Sequence, residues 1–123
     1  MKNQILLIDD EVHMLRLLQF ALKPVSTSIH CVTRGDDAVE YLKANKPNLV
    51  LLDYAMPGMD GVETLRQIRA QESGRTVPVI MLTARDQTAI RKDAAGLHVE
   101  AFLTKPFSPS ELIRRARELL NGA

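Results

Sequence analysis

The sequence holds no tryptophan, one cysteine, two tyrosines and three phenylalanines in 123 residues. A lone Cys31 excludes an internal disulfide, and its apolar surroundings make it a small strand residue in a reducing compartment. Charge of one sign is also missing. The formal net charge is +1 with acids and bases scattered, so neither nucleic acid nor a membrane surface is expected as a partner. The longest apolar runs are strand-sized, far below the roughly 20 residues that cross a bilayer. No glycine-rich phosphate loop follows the first of them, which argues against nucleotide or flavin binding. Met1-Lys2-Asn3 leads straight into a strand, so no secretory or transit segment is expected and the location reads as cytoplasmic. Repeats and linkers are absent too, and one domain over 1–123 is the expectation.

What is present is an alternation of strand-like and helix-like stretches, the pattern of a parallel sheet covered by helices on both faces. Strands are expected over about 4–9, 28–33, 48–53, 78–83 and 100–104. The second has the lowest apolar density and reads as an edge. Helices are expected over 11–22, with Leu15, Leu18 and Leu22 at helical spacing, and from Gly35 to about Ala44, with Ala38, Val39 and Leu42 turned inward. A third opens at Asp60-Gly61-Val62-Glu63, which has capping-box spacing, and fades near Ser73-Gly74. A polar fourth covers about 87–95 with only Ile90 and Ala94 as apolar stripe. The last follows Ser108-Pro109-Ser110-Glu111, an N-cap with proline at the first helical position, and runs to about Leu120. The result is five βα units in an α/β domain.

Four apolar runs end on residues that can do chemistry: Ile5–Ile8 on Asp9-Asp10, Leu49–Leu52 on Asp53, Val79–Leu82 on Thr83, and Ala101–Leu103 on Thr104-Lys105. In a parallel sheet these ends share one edge, where open α/β folds place their ligand crevice. Singly, Asp53 reads equally as a turn residue, Thr83 as a helix cap and Lys105 as a solvated charge. Three carboxylates on one edge, however, need protonation or a cation. Hard oxygen donors in a hydrated site suit Mg²⁺, which also accepts phosphate oxygens. Lys105 beside a phosphoryl group is a point-charge clamp, and Thr83 can donate to a phosphoryl oxygen. The bond before Pro106 is expected to be cis, in a tight turn after a strand. These parts fit one chemistry, a carboxylate nucleophile that accepts a phosphoryl group as an aspartyl-phosphate. His13, His30 and His98 lie outside the strand ends and read as surface or packing residues.

At this point the chain closely resembles the response-regulator receiver domains of two-component signalling. The resemblance rests on Ile-Asp-Asp-Glu at 8–11, Gly-Asp-Asp-Ala at 35–38, Leu-Leu-Asp-Tyr-Ala-Met-Pro-Gly-Met-Asp-Gly at 51–61, Leu-Thr-Ala at 82–84 and Phe-Leu-Thr-Lys-Pro-Phe at 102–107. It implies a flavodoxin-like, doubly wound (βα)5 fold with strand order 2-1-3-4-5, and a single receiver domain over 1–123 with no output domain in this chain. It implies Asp53 as phosphoacceptor, Mg²⁺ (Mn²⁺ as an alternative) on Asp9, Asp10, Asp53 and the Ala55 carbonyl, and phosphoryl oxygens held by Thr83, Lys105 and the backbone of Tyr54, Ala55 and Ala84. The implied donor is a phosphohistidine on a sensor histidine kinase or histidine phosphotransfer protein. Phe102 stands at the family's switch aromatic and would follow the Thr83 hydroxyl inward, changing the surface of the fourth helix, fifth strand and last helix. A phosphorylation-dependent dimer is compatible with this; the downstream effector is not readable.

Glycine often stands four residues before that aromatic in the family; here the position is His98, with Gly96 two earlier, so an unusual loop shape is expected there. Ala55 and Arg85 occupy positions that tune hydrolysis. Met14 and Leu17 with Pro106 and Phe107 form a candidate docking patch for the donor, or else pack against the last helix. Arg114, Arg115 and Arg117 read as a solvated face. Two other readings stand beside the switch. A phosphohydrolase using an aspartyl-phosphate, of the haloacid-dehalogenase-like kind, would place nucleophile and acid two residues apart after the first strand; Asp9-Asp10-Glu11 departs from the usual form of that pattern, and no cap domain is expected. An inactive receiver-like interaction module would not be phosphorylated at all.

Overall fold

The structure, a computed structural model, describes residues 3–56, 58–83 and 87–121. The chain forms β1 (Gln4–Ile8), α1 (Val12–Leu22), β2 (Ser28–Val32), α2 (Gly35–Leu42), β3 (Leu49–Asp53), α3 (Gly61–Arg69), β4 (Val79–Thr83), α4 (Gln87–Asp93), β5 (Ala101–Thr104) and α5 (Pro109–Leu120), with a 3₁₀ turn at Glu72–Gly74. All five strands pair in parallel in the order β2-β1-β3-β4-β5. The fold is therefore the five-stranded doubly wound α/β architecture. Every residue of β3 and β4 is buried, which is why both read as unbroken apolar runs. β2 lies at the edge and buries none of its residues fully.

Alternation along the strands divides the core in two. Ile5, Leu7, Leu49, Leu51, Ile80, Leu82 and Leu103 face α1 and α5, where Leu15, Leu18, Leu22, Leu112 and Ala116 meet them. Leu6, Ile8, Val50, Leu52, Val79 and Met81 face the opposite layer, with Leu42 of α2, Leu65 and Ile68 of α3 and Ile90 of α4. Each such leucine or isoleucine contributes roughly 1.5–3 kcal/mol by leaving water. Gly35 lets α2 approach α3 closely: a Cβ there would lie 2.2 Å from the Thr64 hydroxyl.

Two helix starts follow their sequence signals. The Asp60 carboxylate accepts from the Glu63 N–H at 2.9 Å, and the Ser108 hydroxyl accepts from the Glu111 N–H at 3.4 Å. The Glu63 side chain turns forward to Arg66 and Gln67, at 3.0 Å each, in place of a return bond to Asp60. Helix ends differ more. α2 stops at Leu42 and α4 at Asp93, each two residues short of the expected end. After α4 the chain closes a turn through Leu97 N–H to Ala94 C=O, with Gly96 in the left-handed region at φ 85°. His98 keeps an ordinary negative φ, and Gly96 is the left-handed residue of this loop. Among the described residues no helix is long and apolar enough to cross a membrane.

Candidate functional site

Backbone hydrogen bonds extend the sheet one residue past several strand ends and fix the C-terminal edge. Asp9 N–H reaches Val32 C=O, Tyr54 N–H reaches Leu82 C=O at 2.8 Å, and Lys105 N–H reaches Thr83 C=O at 2.8 Å. Asp53 lies opposite Leu82 in register and Thr83 lies opposite Thr104. The start of α3 presses against the end of β3, because Gly61 carries no side chain. A Cβ there would sit 2.6 Å from both the Asp53 carbonyl oxygen and the Tyr54 Cα. The Lys105–Pro106 peptide is cis.

At this edge Lys105 Nζ lies 3.0 Å from Asp9 Oδ2 and 3.1 Å from Asp53 Oδ1. Asp9 is fully buried, and its Oδ1 accepts from the Glu11 N–H at 2.9 Å. Asp53 is 3% exposed, and its Oδ1 also accepts from the Ala55 N–H at 3.3 Å. Asp10 points to the exposed side. One carboxylate oxygen from each of Asp9, Asp10 and Asp53 lies within 4.8 Å of the others. The cluster is overdrawn in negative charge, three acids against one ammonium. Burial, and then the Asp9 charge, push the Asp53 carboxyl up to about 6 against the opposing pull of Lys105. Burial alone would depress the Lys105 ammonium, but hydrogen bonds and attraction to Asp9 and Asp53 outweigh it and raise the net value.

This donor set fits a hard divalent cation. Three carboxylates converge, two of them buried and one at the open side, so an ion could be held by two or three protein oxygens and keep waters for the rest. Asp9, Asp10, Asp53 and Lys105 are thus brought together as the strand ends predict. Tyr54 and Ala55 follow Asp53 directly, Tyr54 half-buried and Ala55 exposed. Ala84 and Arg85 lie outside the described residues. Thr83 is 2% exposed. By strand alternation it shares its sheet face with Met81, which pairs with Phe102 of β5. Phe102 is half-buried against the cluster that contains Met81 and Ile90.

The three histidines stay out of the cluster. His13 is exposed on α1, His30 stacks on Tyr41 with ring centroids 4.1 Å apart, and His98 Nε2 sits 3.1 Å from Glu100 Oε2. The candidate docking patch is split: Met14 and Phe107 pack against the core beside α5, whereas Leu17 is 57% exposed and Pro106 is exposed. Arg114 and Arg117 are exposed, with Arg114 paired to Glu111 and Glu118 on its own helix, whereas Arg115 is half-buried and departs from the expected solvated face.

Three features had gone unread in the sequence. Phe20 on α1 is 72% exposed, one turn beyond Leu17. Arg69 is largely buried at the other end of the sheet, where it pairs with Glu100. Arg91 of α4 lies over the Phe102 ring. An arginine at a core-facing helical position is the signal that could have exposed the second, since it demands a carboxylate or carbonyl partner.

Residues 5–117 match the family model of the response regulator receiver domain. The fold superposes on the receiver domain of a Pseudomonas aeruginosa sensor histidine kinase, solved with a magnesium ion coordinated in its active-site cleft (TM-score 0.88, 30% identity, 98% of this chain and 99% of that one). It is similar to the signal receiver domain of a Syntrophus aciditrophicus histidine kinase (TM-score 0.87, 29% identity, 98% and 92% covered). A response regulator from Chloroflexus aurantiacus matches to the same extent (TM-score 0.89, 25% identity, 98% and 99% covered). Fold, strand-end chemistry and family match agree: this chain belongs to the response regulator receiver domains of two-component signalling.

Proposed function

We propose that this domain is a phosphorylation-dependent switch that takes a phosphoryl group onto Asp53 from a phosphohistidine donor. The observation that carries the reading is the buried, charge-unbalanced cluster in which one lysine bridges Asp9 and Asp53 while Asp10 stands at the open side. A structural ion pair needs one acid per base; a surplus of two carboxylates around one ammonium suits incoming cation and phosphate oxygens.

Asp53 is its own nucleophile. At neutral pH most of it is ionised even with its value at about 6, so no general base is required. Its carboxylate oxygen forms the O–P bond as the P–N bond to the donor imidazole breaks, and the imidazole departs with the bonding pair and takes a proton. Asp9, Asp10, Asp53 and the Ala55 carbonyl are the proposed Mg²⁺ ligands. Bound Mg²⁺ would supply charge neutralisation of the carboxylates and the transferring oxygens. Lys105 needs only to leave Asp53 for a phosphoryl oxygen bonded to it, a short movement for an ammonium already 3.1 Å away. Thr83 and the Tyr54, Ala55 and Ala84 amides are the further proposed phosphoryl partners.

Strand register supports a route for the output. Thr83 and Phe102 share a sheet face on adjacent strands, so movement of the hydroxyl toward a phosphoryl group opens room that the aromatic ring can take. Two arrangements of α4, β5 and α5 would then differ in population. The donor is proposed to be a sensor histidine kinase or phosphotransfer protein docking on α1 near Leu17 and on Pro106. Leu17→Ala should slow transfer from such a donor and leave labelling by acetyl phosphate unchanged; equal slowing of both would place Leu17 in folding and not docking.

The central test is incubation with acetyl phosphate and Mg²⁺ followed by intact-mass measurement. One added phosphoryl group is expected on the wild type and none on Asp53→Asn. No adduct on the wild type, the outcome of an inactive receiver-like module, or an adduct that persists in Asp53→Asn, overturns the assignment.

A further inference from the structure

Arg91 stands in the last turn of α4 and places its guanidinium over the Phe102 ring, with Cζ 4.4 Å from the ring centroid. That is within the range of a cation–π contact. The neighbouring residue on the helix, Ile90, is buried in the cluster against which Phe102 packs. Consecutive α4 residues therefore bear on the surroundings of this aromatic, Ile90 as a member of the cluster it packs against and Arg91 over its π face. In the same structure Lys105 bridges Asp9 and Asp53, the arrangement that the proposed function assigns to the pocket before phosphoryl transfer.

We propose that Arg91 is a positioning residue for the switch: its guanidinium holds Phe102 in the ring position that accompanies the unphosphorylated pocket. The proposal rests on the reading of Phe102 as the aromatic that moves. A contact made in only one of two arrangements favours that arrangement, and by linkage it weakens binding of a phosphoryl group by the same factor. Arg91 is exposed, so the contact works in a wet setting and biases the equilibrium by about two- to fivefold. The sign is diagnostic. Loss of one positive charge near an anion site weakens anion binding, whereas loss of the latch strengthens it.

The experiment uses beryllofluoride with Mg²⁺ as a phosphoryl mimic, on protein carrying 4-fluorophenylalanine. The three phenylalanine resonances are assigned by single substitution at Phe20, Phe102 and Phe107. Arg91→Gln should tighten beryllofluoride binding about two- to fivefold. It should also move the Phe102 fluorine resonance of the free protein toward its beryllofluoride-bound position. Arg91→Lys, which keeps a cation and loses the guanidinium, should fall between Arg91→Gln and the wild type. Lys92→Gln removes the same charge one residue along the helix and should leave affinity unchanged or weaken it slightly. Unchanged affinity in Arg91→Gln, weakening that matches Lys92→Gln, or a change in affinity without movement of the Phe102 resonance overturns the latch alone. A wild type that fails to bind beryllofluoride at all overturns the Asp53 assignment, and the latch with it.

Discussion

The two ends of the sheet each bury a cation among acids, and they do so in opposite ways. At the C-terminal edge Lys105 faces Asp9 and Asp53, with Asp10 close by, and the charges do not balance. At the N-terminal edge Arg69 faces a single carboxylate, Glu100, at 3.6 Å. Its Nη1 donates to the carbonyls of Gly74 at 3.0 Å and Val77 at 2.6 Å, and its Nη2 donates to that of His98. Glu100 Oε1 in turn accepts from the Val79 N–H at 2.7 Å, at the start of β4. Within this cluster Arg69 Nε has no hydrogen-bond partner. One cluster is closed and ties α3, β4 and the approach to β5 together; the other is left short of positive charge and open on one side. The same ingredients give a structural clamp where they balance and a binding site where they do not.

Opposite signs should follow when an acid is neutralised at each end. Glu100→Gln, or Arg69→Met, breaks the closed cluster and leaves a buried charge without its partner. A loss of about 3 kcal/mol is expected, the lower part of the range for opening a buried pair, since both side chains retain some exposure. Urea denaturation measures it. Labelling of Asp53 by acetyl phosphate should be unaffected under conditions where the variant remains folded. If Glu100→Gln costs less than 1 kcal/mol, the clamp reading is wrong.

Asp53→Asn should do the reverse in metal-free protein. Folding favours the neutral carboxyl of Asp53, whose value moves from 3.8 to about 6. Between those pH values the native state therefore holds more protons than the unfolded chain. The Asp53 contribution is fully present below pH 4 and is lost as pH rises through 6. At pH 7.5 the charged residue accordingly costs stability, and Asp53→Asn should gain on the order of 2 kcal/mol. The gain should shrink toward zero as pH falls to 4. A variant less stable than the wild type at pH 7.5 would show that the Lys105 pair outweighs the burial of Asp53.

Mg²⁺ provides a milder version of the same contrast. An ion that binds only the native cluster stabilises it by RT ln(1 + [L]/Kd), about 1.4 kcal/mol when its concentration is tenfold above Kd. The wild-type melting temperature should rise with Mg²⁺, and Asp53→Asn should respond less because one ligand charge is gone. Glu100→Gln should retain the full increment, because its change lies at the far edge of the sheet. Equal increments in the wild type and Asp53→Asn would remove Asp53 from the ligand set.

The unbalanced end was legible in the sequence and the balanced end was not, and the reason is physical. A parallel sheet covered on both faces turns each inner strand into an apolar run, so the polar residue that stops it, such as Asp9, Asp53 or Thr83, is conspicuous. The expected strand ends therefore met at one edge, and the parallel five-strand arrangement followed. The strand order came from the family resemblance, because periodicity does not say which strands are neighbours. Arg69 and Glu100 are 31 residues apart on a helix end and a loop, where charged residues are ordinarily solvated. The core-facing position of Arg69 hints that it needs a partner, but nothing local names Glu100; only the tertiary fold reveals which carboxylate is drawn in with it. Arg91 over Phe102 was hidden for the same reason. Helix ends at 42 and 93 depended on fraying and turn geometry, to which apolar spacing is insensitive.

His98 gives the finest test of where the closed cluster stops. Its Nε2 lies 3.1 Å from Glu100 Oε2, which on distance alone would enrol it as a third charged member. Yet its side chain is 78% exposed, so water competes for the contact and any charge it carries is screened. Its backbone is the part engaged, through the carbonyl that accepts from Arg69 Nη2, and a substitution of the side chain leaves that bond intact. His98→Ala should therefore cost under about 1 kcal/mol in urea denaturation, against the larger loss for Glu100→Gln. Gly96 already supplies the left-handed turn of this loop, so the backbone should not need to rearrange. A cost approaching that of Glu100→Gln would show the imidazole to be part of the clamp and extend its boundary to the protein surface.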